Sequence, residues 1–160
     1  MIGYWVFHYP LILFLNVIRV YKQMDHTPLI HTFEQVDAQI VDLERILNAR
    51  GSLPLQETVE HAMLLTKRLI IAYIADVGEK TLPAESDELL DVFKALVKSD
   101  PSWNTIRDNC RELVYYRNCL DMERSDALPQ HPEKMAVRTL RHIYLFMKTR
   151  CMREERLEMA

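Results

Sequence analysis

Three polar residues on one predicted helix have types and spacing that suit the binding of a phosphate or a carboxylate. Within "ELVYYRNCLDMER", residues 112–124, a rotation of 100° per residue places Arg117 and Asp121 on the side that begins with apolar residues. Arginine suits such a site because its planar fork binds an anion at two places and stays charged at any working pH. We therefore assign Arg117, Asn118 and Asp121 to a candidate binding site, in a cleft or a dimer interface. The alternative is that this end of the helix projects beyond the bundle, with the arginine head in water.

Other residue patterns give little support to metal or nucleotide chemistry. His31 with Glu34, and Glu57 with His61, have helical spacings that metal sites in bundles use, but no Glu-x-x-His occurs in the chain. We predict no metal site. There is no GxSxG elbow and no GxxxxGK[ST] loop, and three glycines are too few for a backbone cradle around phosphate. Nucleotide hydrolysis is disfavoured, and no small-molecule cofactor is predicted.

The overall composition is typical of one helical domain. With 160 residues, 49% of them hydrophobic, the chain can bury a substantial core, and three Gly with seven Pro are few for the turns of a β-sandwich. A formal net charge of -3 gives no general field that attracts nucleic acid. Three cysteines without a CxxC pair suggest buried thiols in a reducing compartment, so we expect a cytoplasmic protein.

A local basic segment makes RNA a further candidate partner despite the net charge. In "RTLRHIYLFMKTR", residues 138–150, four basic residues border two aromatic residues, which can contact phosphates and stack on bases. The alternative is a core helix with solvated edges.

Residues 1–23 form a separate apolar segment. The run "IGYWVFHYPLILFLNVI" has 17 residues and is interrupted by His8, Pro10 and Asn16. It is therefore shorter than the ~20 apolar residues that cross a bilayer. Three interpretations stay open: a mis-assigned start with translation beginning at Met24, a packed helix, or a weak membrane anchor. We expect membrane contact only if residues 1–23 are expressed.

Residues 24–160 are predicted to form an all-α, antiparallel bundle of about five helices joined by short loops. The second helix is apolar around most of its circumference and is placed at the centre. Ser102 is predicted to cap the fourth helix, and "REERLE", residues 153–158, to be solvated or frayed. The first helix carries a long apolar stripe: Leu29, Phe33, Val36, Ile40, Leu43 and Leu47. This stripe and the charged end of the fourth helix exceed what one small bundle easily covers, so we expect a homodimer or another helical protein as partner.

The helical layout and two partial motifs resemble the HEPN families. These are small helical bundles, usually dimeric, in which Arg and a polar residue open a motif that ends in His four to six residues later. Arg117-Asn118 matches the opening, but residues 122–124 replace the expected His. The segment "RSDALPQH" fits the spacing in full, with six residues between Arg124 and His131.

The resemblance implies two functions. In HEPN ribonucleases the Arg binds the scissile phosphate and the His assists attack by the 2′-hydroxyl without a metal, which would assign these catalytic roles to Arg124 and His131. Many HEPN-like domains have lost the motif and act as binding or regulatory modules. We favour a non-catalytic interaction or regulatory module, because the Arg117 element lacks its His and the Arg124–His131 pair spans a proline-containing loop.

Overall fold

A computed structural model describes residues 25–157 of the chain. In that range the chain forms five α-helices and two short 3₁₀ helices, with no strand. The α-helices are α1 Thr27–Arg50, α2 Leu55–Asp76, α3 Leu89–Ser99, α4 Arg107–Asp121 and α5 Pro132–Arg153. The 3₁₀ helices are Pro101–Ile106, between α3 and α4, and Ser125–Ala127, between α4 and α5. The predicted all-α bundle is confirmed, whereas the predictions for residues 1–23 lie outside the described residues.

Helix α2 lies at the centre of the bundle, as its composition predicted. It packs against each of the four other α-helices. Leu65 and Ile70, which lie about 140° apart around α2, are both fully buried. Among the five described helices, none is both long enough and apolar enough to span a membrane.

Helix α1 buries most of its apolar stripe against its own chain. Leu29, Phe33, Val36 and Ile40 are buried, and the last two positions of the stripe are half-buried. The helix ends at Gly51, whose φ of 78° is a left-handed conformation that glycine adopts without strain. Less of α1 is therefore left for a partner than the stripe alone suggested.

The connection from α3 to α4 differs from the prediction. Ser102 does not cap α4; instead the Asp100 carboxylate accepts a hydrogen bond of 2.9 Å from the Ser102 backbone N–H. This contact caps the 3₁₀ helix, and α4 begins only at Arg107. The extra turn buries Trp103 completely, against Tyr73 of α2 at 4.8 Å between ring centroids. Burial of this large aromatic side chain stabilises the 3₁₀ helix. Capping rules consider only neighbouring residues, so they do not predict this helix.

The segment that follows α5 is partly packed, so the prediction that it is solvated is wrong for Glu154, Arg156 and Leu157, whereas Glu155 is exposed. Leu157 is 8% exposed and joins the hydrophobic core. The Arg156 guanidinium donates a hydrogen bond of 2.6 Å to Asp76, at the end of α2. Glu154 accepts hydrogen bonds from Arg150, Arg156 and the Tyr73 hydroxyl, each at 2.9 Å. Because Tyr73 and Asp76 lie on α2 and Arg150 lies on α5, the network ties the segment after α5 to both helices and closes one end of the bundle.

Candidate functional site

Arg117 occupies the half-buried position on α4 that the sequence predicted, but its main partner comes from another helix. Its side chain is 29% exposed and donates a hydrogen bond of 2.7 Å to Glu88, the residue directly before α3. Its Nε lies 3.9 Å from the Asp121 carboxylate and makes no hydrogen bond. Asn118 is exposed beside it. The structure thus brings Arg117 and Asp121 together and adds Glu88, which the sequence analysis missed.

The two carboxylates change what Arg117 can do. A guanidinium between Glu88 and Asp121 is already compensated, so a phosphate would have to displace a carboxylate to bind there. Arg117 instead ties the C-terminal half of α4 to the start of α3. A structural role of this kind still leaves Asn118 and the exposed carboxylate edges accessible to a partner.

Arg124 is also held by a carboxylate of the same chain. It lies in the turn after α4, where its Nε and Nη2 donate to the two oxygens of Asp126 at 2.8 and 2.9 Å. The hydrogen bond from Arg124 lowers the pKa of Asp126. Both side chains are more than 60% exposed, so solvent and salt compete with the pair.

His131 lies on the next element, directly before α5, in a left-handed conformation with φ 53°. The residue is exposed, and within residues 25–157 its imidazole makes no hydrogen bond. No hydrogen bond or ion pair of the described residues joins it to Arg124, whose fork faces Asp126. Neither side chain is oriented by the other, as a preformed acid–base pair would require.

Two arginines of α5, Arg141 and Arg150, are also held by carboxylates of this chain. The Nη1 of Arg141 donates to Asp37 at 2.5 Å, while its Nε and Nη2 donate to Glu44 at 2.9 and 2.7 Å. Both carboxylates belong to α1, so these contacts join α1 to α5. Arg150 pairs with Asp100 and Glu154 and lies over the Trp103 ring, 4.2 Å from its centroid. Tyr144 is buried, so its ring does not offer a stacking surface.

The two histidines considered as metal ligands bind amides. His31 is hydrogen-bonded to Gln35 at 2.9 Å and His61 to Gln39 at 2.8 Å. Burial, with the nearby Arg68 charge, lowers the pKa of His61. In the part of the chain that the structure describes, no group of three or more His, Cys, Asp or Glu residues could hold a metal ion.

An apolar groove between α3 and α4 is the feature that sequence reasoning missed. Leu90, Phe93 and Val97 of α3 form its floor, and the groove encloses about 350 Å³. Its rim carries four cations, two from each side: Lys94, Lys98, Arg107 and Arg111. The sequence "LLDVFKALVK" could have indicated this groove, because it gives α3 a second apolar row beside the row that enters the core. We name this feature the α3–α4 groove.

Comparisons of this chain with protein families, with curated proteins and with solved structures find no match. The geometry of its own residues is therefore the basis for a functional proposal.

Proposed function

We propose that this chain is a non-catalytic helical interaction module. The observation that carries the proposal is the α3–α4 groove, an apolar surface with a charged rim that the rest of the described chain leaves open. Grooves of this kind bind amphipathic segments of other proteins, because apolar anchors fill the floor while charged groups fix the orientation. The partner is a second protein with a helical segment or a second copy of this chain.

The arrangement of the arginines supports a non-catalytic role. Arg117 and Arg124 both bind carboxylates of this chain, and an arginine that binds a scissile phosphate must be free to receive it. Among residues 25–157, no side chain forms a hydrogen bond that would orient the His131 ring. The rival function is a metal-independent ribonuclease of the HEPN type, in which Arg124 leaves Asp126 and acts with His131.

The test is incubation of the full chain with a labelled single-stranded RNA in buffer containing a chelator. Wild type, Arg124→Ala, His131→Ala and the control Arg138→Ala are compared, and circular dichroism checks that all four keep their helicity. Arg138 is a suitable control because it is exposed on α5. We expect no cleavage above the protein-free level by any of them. Cleavage by wild type and Arg138→Ala that is lost in the other two variants would refute the proposal.

Self-association is tested separately by sedimentation of the same chain. A homodimer through an ordinary interface is expected to be populated at about tens of micromolar. A clean monomer at that concentration would exclude the second copy as the partner, and a partner of different sequence would remain.

A further inference from the structure

The floor of the α3–α4 groove is recessed below its rim. Phe93 is 5% exposed, while Leu90 and Val97 on either side of it are half-buried. Leu90, Phe93 and Val97 are three or four residues apart, so they follow one line along α3. A floor of this shape accepts two or three aliphatic or aromatic side chains spaced along a second helix.

The rim has an excess of positive charge. Lys94 pairs with Asp91 at 2.7 Å and Arg107 lies 3.6 Å from Asp108, while all of these groups are exposed. Lys98 and Arg111 have no carboxylate within ion-pair distance among the described residues. The four cations of the rim therefore exceed the neighbouring carboxylates by two, on a chain whose overall charge is negative.

The spacing of the cations favours a polymeric anion over a single charged group. Lys94 and Lys98 are four residues apart on α3, and Arg107 and Arg111 are four apart on α4, so each wall presents two charges along one face. One carboxylate, as in a fatty acid, can approach only one part of this rim. A helix with acidic residues on both sides of an apolar stripe presents negative charge to both walls at once.

Nucleic acid and membranes match the groove less well. Bases bind by stacking on accessible aromatic faces, but the Phe93 ring is almost fully buried. Insertion into a bilayer requires apolar side chains that protrude beyond the charged ones, and in this groove the apolar side chains lie beneath them. An apolar face with flanking carboxylates satisfies both the floor and the rim.

We infer that the α3–α4 groove binds an acidic amphipathic helix of a partner protein, with its apolar side chains against Leu90 and Val97, above the nearly buried Phe93, and its carboxylates on the four rim cations. This inference rests on the proposed function and specifies the chemistry of the partner. Because the rim cations are exposed, the contribution of charge is expected to weaken as salt rises.

The probe is a fluorescein-labelled synthetic helix with leucines at i, i+3, i+4 and i+7 and glutamates on both flanks, titrated with the full chain in fluorescence anisotropy. A matched peptide carries lysine in place of each glutamate. The groove variant is Lys98→Glu with Arg111→Glu, and the control variant is Lys134→Glu with Arg138→Glu. The control pair lies exposed on α5 and changes the net charge by the same amount. A floor variant, Val97→Ser, removes apolar surface without changing charge.

We expect the acidic peptide to bind wild type and the control variant with similar Kd, and the groove variant about tenfold more weakly, because two attractive contacts become repulsive. Val97→Ser is expected to weaken binding about fivefold through the lost methyl contacts. Equal binding of the acidic and basic peptides, or equal loss in the groove and control variants, would overturn the inference.

Three further measurements identify a different occupant. RNA, or vesicles containing phosphatidylserine, that bind wild type but not the groove variant while the acidic peptide does not bind would overturn the inference. A dimer that dissociates in the groove variant would do the same, because the occupant would then be a second copy. These outcomes would refute only the inferred partner. The proposed function would be refuted by a different result, RNA cleavage that depends on Arg124 and His131.

Discussion

Removal of Arg156 is expected to destabilise the fold far more than its position after the last helix suggests. The Asp76 carboxylate, 4% exposed, binds the Arg156 guanidinium at 2.6 Å and the His26 imidazole at 2.8 Å. Loss of one partner from a buried ion pair costs about 3–5 kcal/mol, because the other charge stays buried without compensation. His26 remains beside Asp76 and Arg156 is 20% exposed. We therefore expect Arg156→Met to lower the free energy of unfolding by about 2–3 kcal/mol.

The assay is urea denaturation followed by circular dichroism, with the slope m compared to show that both proteins expose similar surface on unfolding. A loss of this size corresponds to a decrease in Tm of about 8 °C. The matched control is Arg153→Met, one turn earlier and exposed, for which we expect a change within about 0.5 kcal/mol.

A double-mutant cycle shows whether the loss comes from the Arg156–Asp76 pair. Asp76→Asn removes the buried charge, so the double variant Arg156→Met/Asp76→Asn should be more stable than the sum of the two single losses predicts, by about 1–2 kcal/mol. Additive losses would show that the pair is not coupled. An Arg156→Met protein as stable as wild type would refute the view that the C-terminal segment closes the bundle.

Three further predictions concern contacts that join helices or constrain the backbone. Arg141→Met should lower the free energy of unfolding, measured in urea, by about 1–2 kcal/mol, a range that allows for solvent screening of its two carboxylate partners. The control Arg138→Met should leave the free energy of unfolding unchanged, and equal effects of the two substitutions would contradict the prediction. Burial, with the hydrogen bond to Glu154, raises the pKa of Tyr73 from 10.0 to about 12. The folded state therefore favours the neutral phenol, and this contribution to stability is present below pH 10.0 and is lost as the pH rises toward 12. Denaturation across this pH interval should show a steeper loss for wild type than for Tyr73→Phe, and parallel curves would count against it. His131→Asn should raise the free energy of unfolding by up to about 0.5–1 kcal/mol, because Asn adopts the left-handed φ of 53° with less strain; a clear decrease in thermal melts would assign His131 an unrecognised contact.

The helices could be predicted from the sequence because their signals are local. Pro28 and Gly51 lie at the two ends of α1, and the apolar residues of α2 surround the helix, as expected at the centre of a bundle. The start of α4 could not be predicted in the same way. Capping rules consider neighbouring residues, but the 3₁₀ helix before α4 is stabilised by burial of Trp103 against Tyr73, thirty positions earlier in the chain.

The ionic contacts between helices could not be predicted from the sequence for the same reason, because their partners are distant in the chain. Arg117 has Asp121 at helical spacing, and this proximity was predictable, but its stronger contact is with Glu88, 29 positions away. Arg141 binds a carboxylate 97 positions away and Arg156 one 80 positions away. A sequence pattern shows which charges share a face of one helix, whereas the fold determines which helix lies opposite.

The α3–α4 groove shows which part of a surface a sequence pattern predicts and which part depends on the fold. Leu90 and Val97 continue the apolar surface of α3 beyond the buried row that includes Phe93, and a short helix needs only one row to pack on a bundle. The second row predicts another apolar contact, but it cannot show whether that contact is made by the same chain. In the structure the row becomes the floor of a groove because α4 contributes Arg107 and Arg111 rather than aliphatic residues at the facing positions. Since those arginines keep their charged ends in solvent, Leu90 and Val97 stay partly exposed, and an apolar helix face with flanking carboxylates is the partner that we propose for this surface.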